Sequence, residues 1–150
     1  NQGLNLLEPF EVAGYPAYHQ APAFHRSWIS ANYLAQRYRL ADELLAMPED
    51  MMQPGFFLDA LAWVENPRHV ADPSDAQQIV RALADYLLPE ELPAERFDYF
   101  LNAILLDNLS AVNWRFEWLQ YASTGNDVAI RVQIQNLVRA MLQSPEYQLQ

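Results

Sequence analysis

The stretch Asp72-Pro73-Ser74-Asp75-Ala76-Gln77-Gln78-Ile79-Val80-Arg81-Ala82-Leu83-Ala84-Asp85-Tyr86-Leu87-Leu88-Pro89 decides the fold class. It opens with a helix start signal: Asp72 can cap, Pro73 suits the first helical position, and Asp75 stands where a capping-box acid would. Ile79, Leu83, Tyr86 and Leu87 then share one helical face. Pro89, which has no N–H to give, closes the run. A strand would alternate apolar and polar residues, and this stretch does not.

The same pattern extends in both directions. Upstream, Leu34, Tyr38, Ala41 and Leu45 fall at i, i+4, i+7 and i+11, which predicts a helix from about Ser30. Ser27 or Ser30 would cap it and Pro48 would stop it. A short helix is expected over about 55–65, with Phe57, Ala60, Leu61 and Val64 on one face, ending before Pro67. Downstream, Phe97, Phe100, Leu101, Ile104 and Leu105 predict a helix from about Ala94 to Asp107. Trp114, Trp118 and Tyr121 predict another over about 111–122, with the aromatics as its buried face. Ser123-Thr124-Gly125-Asn126-Asp127 reads as a C-cap glycine followed by a new N-cap. The last helix, about 127–143, stacks Ile130, Ile134, Leu137 and Met141 and stops at Pro145. No period-2 strand and no internal repeat is evident.

The first thirty residues differ. Pro9, Pro16, Pro22 and Gly14 disfavour a helix, while Phe10, Tyr15, Tyr18, Phe24 and Trp28 supply large apolar anchors. The expected fold is therefore all-α, with an irregular aromatic and proline-rich segment (1–29) packed on a bundle of about five to six helices (30–150) as a single domain. Val12, Tyr15, Tyr18, Phe24 and Trp28 would tie the segment to the bundle. The start at Asn1-Gln2-Gly3 without methionine suggests a piece of something longer.

Composition narrows the function by exclusion. Nineteen acids against nine bases give a formal charge of −10, which argues against binding a nucleic-acid backbone or an anionic membrane surface. All nine bases are arginine, so lysine Schiff-base chemistry is excluded. The chain has no cysteine, which removes disulfides, thiolate catalysis and cysteine zinc sites. No apolar run approaches the roughly 20 residues of a membrane-spanning helix. Four glycines cannot furnish a dinucleotide fingerprint or a P-loop, and no nucleophile elbow, zinc helix or calcium loop is present. No catalytic residue, metal ligand set or cofactor site is assigned.

A few residues remain as candidates for ligand contact. His19 and His25 lie close to Arg26, and their spacing of six fits no zinc pattern. Tyr15, Tyr18 and Trp28, with Phe24, could form a stacking platform for a sugar or a partner. The competing reading makes these side chains packing anchors of an irregular backbone, and it is preferred because ordering such a segment is entropically costly. His69 is expected on a surface loop, and Glu90, Glu91 and Glu95 as solvated acids beside a helix N-terminus.

Phe10-Glu11-Val12-Ala13-Gly14-Tyr15-Pro16-Ala17-Tyr18-His19-Gln20-Ala21-Pro22 resembles the Pro-Pro-Asn-Val-x-Gly-Trp-Pro stretch of a bacterial family catalogued as domain of unknown function 1800. The resemblance continues through Phe24-His25-Arg26-Ser27-Trp28-Ile29-Ser30, Phe116-Glu117-Trp118 with Tyr121, and the closing Leu142-Gln143-Ser144-Pro145-Glu146-Tyr147-Gln148-Leu149. Phe10-Glu11 stands where the family tends to have Pro-Asn, and Tyr15 where it tends to have tryptophan. The Pro-Ala-Tyr variant resembles the Bacteroidetes-type form. The resemblance implies the C-terminal part of a large bacterial protein, often exported, and often encoded beside a second family with sulfatase-like features. It carries no catalytic residue onto this chain.

The leading expectation is thus a helical structural or interaction module of a larger exported protein. Its partners would be the N-terminal part of its own parent and another exported protein, with no nucleic acid and no membrane insertion. Two alternatives stay open. One is a fragment of an extracellular-polymer hydrolase, with Tyr18, His19, His25 and Arg26 on one wall of a cleft shared with the parent. The other is a glycan-binding module built on the aromatic segment.

Overall fold

The computed structural model describes residues 31–46 and 57–148. The chain divides into two compact units, Asn1–Glu43 and Leu44–Gln150. Helix α1, Ala31–Leu45, belongs to the first for most of its length. Of its predicted face, Ala41 and Leu45 are buried, and Leu34 and Tyr38 are half-buried. The caps expected at Ser27 or Ser30 and the stop at Pro48 lie outside the described residues.

In the second unit, α2 (Ala60–Glu65) starts later than the periodicity suggests. Leu58 N–H bonds to the Leu44 carbonyl at 2.7 Å, and the Asp59 carboxylate accepts from Ala62 N–H at 3.2 Å, so the helix can begin only after this cap. Helix α3 (Ala76–Leu87) also starts late. Its cap is Asp75, which accepts from Gln77 N–H at 3.0 Å, rather than Asp72. Asp72 instead closes a local turn by accepting from the backbone and hydroxyl of Ser74. Those two bonds hold its carboxyl below the usual carboxylate range. Within α3 the buried side chains are Ile79, Val80 and Leu83, with Ala76 and Ala84. Tyr86, expected on the buried face, is 71% exposed.

The expected fourth helix divides in two. Residues Ala94–Asp98 form α4, and Tyr99–Leu105 continue as a π-helix in which Leu106 N–H reaches back to the Leu101 carbonyl at 2.9 Å. Bonding five residues back widens the turn, and Phe100, Leu101 and Leu105 are all buried. Asp107 and Asn108 end the stretch at φ 48° and 60°, a left-handed conformation that their short polar side chains tolerate.

Helix α5 (Ala111–Thr124) ends as predicted on Gly125 at φ 73°, whose N–H bonds to the Tyr121 carbonyl at 2.8 Å. Helix α6 (Val128–Leu142) buries Ile130, Ile134, Leu137 and Met141, the four residues its period picks out. Pro145 stops α6 but also opens a further turn, α7 (Pro145–Gln148), as a first helical residue should. No strand occurs among the described residues.

Helix α6 is the hub of this unit: the π-helix, α2, α3, α5 and α7 all pack on it. The core is filled by Ile79, Val80, Phe100, Leu105, Trp114, Ile134 and Leu137, each essentially inaccessible to water. Trp114 brings its indole N–H to the Pro73 carbonyl at 3.0 Å, which satisfies the polar atom it carries into the core and joins α5 to the turn before α3.

Candidate functional site

The ligand candidates read from the sequence, Tyr15, Tyr18, His19, His25, Arg26 and Trp28, lie outside the described residues, as do the anchors Val12 and Phe24. His69 is exposed on the loop after α2 as expected. Its ring stacks on Trp63 at 4.4 Å between centroids, and Nδ1–H donates to the Trp63 carbonyl at 2.9 Å. That makes it the pin of its own loop.

A cleft of about 720 Å³ opens between the C-terminal half of α3, the connection Leu88–Pro93 and α4. Local sequence builds it. Leu88 turns extended after α3, the prolines 89 and 93 bar helix from the connection, and Pro93 delivers the chain to α4. Leu88, Leu92 and Phe97 line the cleft with apolar surface, and Asp85, Glu90, Glu91 and Asp98 line it with carboxylates. A single cation is among the lining residues: Arg81, whose guanidinium lies 5.6 Å from the centre of the Phe97 ring. Glu90 and Glu91 are exposed as the sequence suggests, but their place on a cleft depends on α3 and α4 meeting there.

A second feature is the outward face of α5. Trp114, buried, and Trp118 and Tyr121, half-buried, account for one face of the helix as predicted. Leu109, Val112, Phe116 and Leu119 repeat at a spacing of three, four and three residues, and all four are exposed, Val112 by 75% and Phe116 by 68%. Surface helices ordinarily leave polar residues on the side facing water. Val112, Phe116 and Leu119 are legible in the sequence, since they interleave with the tryptophans on the same helix, and Leu109 precedes its cap.

The polar groups that the fold draws together act as clamps. Arg131 donates to Asp127 at 2.7 Å and to Asp59 at 2.9 Å, so the residue that caps α2 is held to α6. Burial opposes the Arg131 charge, and the two carboxylates outweigh it and raise its pKa. The Tyr121 hydroxyl donates to Glu65. That bond, with burial and the nearby carboxylates, pushes the Tyr121 pKa up to about 12, which suits a hydrogen-bond donor and not a proton acceptor. Arg96 binds Glu146 in a bidentate pair at 2.6 and 3.1 Å while lying 5.0 Å from the rings of both Tyr99 and Phe100. The closing Ser144-Pro145-Glu146-Tyr147 thereby fastens α7 to α4, just before the π-helix.

Among the described residues no group of three or more histidines or carboxylates is placed to hold a metal ion, and no helix is long and apolar enough to cross a membrane.

These features define a helical module whose described residues form an acidic cleft and an exposed apolar helix face. The chain matches the family DUF1800, described as a protein of unknown function, over residues 1–149, and it belongs to that family. No curated protein and no solved structure matches it.

Proposed function

We propose that the chain is a helical interaction module of a larger exported bacterial protein. The observation that carries this reading is the outward face of α5. A helix that has already given Trp114 to the core keeps a second stripe of Val112, Phe116 and Leu119 in water, and an apolar stripe of that kind marks a surface that another element covers. Its i, i+4, i+7 spacing, about two turns of helix, is that of a helix-to-helix seam. The family resemblance supports export and a longer parent, with the parent's own remainder and a second exported protein as partners.

Site-specific photo-cross-linking tests the reading. Benzoylphenylalanine at position 116, in the full parent protein in its native cells, is expected to form a discrete adduct. The same group at position 86, where Tyr86 is equally exposed, is expected to form none. Equal labelling at the two positions would show that the α5 face is bare surface. Immunoblotting of cell fractions with an antibody to the module tests the export, which requires the protein outside the cytoplasm.

A further inference from the structure

We propose that the cleft between α3 and α4 is a docking groove for a basic peptide segment of a partner, one whose arginine or lysine side chains alternate with apolar residues. The cleft is separate from the α5 face and its chemistry differs. Its volume of about 720 Å³ is that of a ligand-sized groove. Leu88, Leu92 and Phe97 supply apolar surface for the stems of long side chains, and Asp85, Glu90, Glu91 and Asp98 supply charge for their heads.

The chain itself shows which chemical group the groove accepts. Arg81 already rests its guanidinium 5.6 Å from the Phe97 ring centre, and both residues line the groove together with its carboxylates. An aromatic face with carboxylates around it is the environment that favours a guanidinium or ammonium group. Arg81 is exposed and reaches the ring from the adjoining helix, so an incoming cation can take its place on Phe97. In that arrangement Arg81 is a competitor in cis, and the groove is partly filled until a partner displaces it. Arg96, the other arginine of this region, is committed to Glu146 and does not neutralise the groove.

Polycations bind any strongly acidic protein to some extent, so the test separates the groove from net charge. The probe is a short labelled peptide alternating arginine with leucine, read by fluorescence anisotropy on the intact chain at physiological salt. Its twin carries glutamine for arginine. One variant combines Asp85→Asn, Glu90→Gln and Glu91→Gln. A control combines Glu43→Gln, Asp72→Asn and Asp107→Asn, which removes the same charge from outside the groove. The groove variant is expected to weaken binding roughly tenfold, as a few exposed charge contacts together provide. The control is expected to weaken it no more than about twofold, the general effect of charge on encounter. Arg81→Gln is expected to tighten binding about two- to threefold by vacating Phe97. Equal losses in the two triple variants, equal binding of the two peptides, or weaker binding by Arg81→Gln would each overturn the proposal. The α5 cross-link does not depend on the groove, so the two readings fail separately.

Discussion

Trp114 and Tyr121 lie two turns apart on α5 and do different work. Trp114 is fully buried and spends its one polar atom on the Pro73 carbonyl. Trp114→Ala is expected to cost about 3–5 kcal/mol in urea unfolding, the range for a buried tryptophan. Trp114→Phe keeps most of the packing and gives up the hydrogen bond, a loss of about 1 kcal/mol beyond the volume change. Tyr121 is a donor locked onto Glu65 and resists ionisation until about pH 12. A tyrosine held neutral in the folded state contributes stability that is complete below its ordinary pKa of 10.0 and is lost as pH climbs toward 12. Tyrosinate absorbance should therefore show a late titration step that disappears in Tyr121→Phe. A wild-type curve with no such step would mean that the bond to Glu65 does not persist in solution.

At the scale of the element, the helix ends are where local chemistry is most visible. Gly125 holds φ at 73° with open space around its Cα. Gly125→Ala meets no neighbour and yet forces an L-residue into the left-handed region, with an expected cost of about 1–2 kcal/mol read as a lower Tm. Asp75, Asp59 and Gly125 each act through atoms within three or four residues, which is why such signals can be read from sequence. The π-helix is of another kind. Phe97, Phe100, Leu101, Ile104 and Leu105 fit an ordinary helical face equally well, so their spacing does not announce the wider turn that packs on α3 and α6. Tyr86 departs from its periodic face in the same way: period 3.6 puts it beside Leu83, while the packed helices bury Val80 and Ala84 instead.

At the scale of the second unit, the chain's end is tied to its middle. Arg96 and Glu146 are fifty residues apart and form a bidentate pair over two aromatic rings. The Arg96 bond holds the Glu146 carboxyl below its ordinary 4.5, and the same bond raises Arg96. The stability this contributes is present above pH 4.5 and is lost as pH falls through the lower folded value. Both side chains are about one-third exposed, so screening limits the contribution to about 1 kcal/mol. Glu146→Gln is expected to lower Tm at neutral pH and to flatten the acid limb of the stability curve. Parallel acid limbs in the two proteins would assign the acid sensitivity to other carboxylates. Nineteen acids share nine arginines, and the groove gathers four of the acids.

The sequence by itself determined that the chain is helical, where most helices begin and end, that α6 would be buried along Ile130, Ile134, Leu137 and Met141, and to which family the chain belongs. Those properties are carried by contacts close in sequence or by motifs in order. It also picked out Trp114, Trp118 and Tyr121 as the inward face of α5, where Trp114 is buried and the other two are half-buried. Only the tertiary structure decided that Val80 and Ala84 go inward while Tyr86 stays in water, and that Glu90 and Glu91 line one cleft with Arg81 and Phe97. Burial and cleft formation depend on which elements meet, and a periodic pattern names a face without naming its partner.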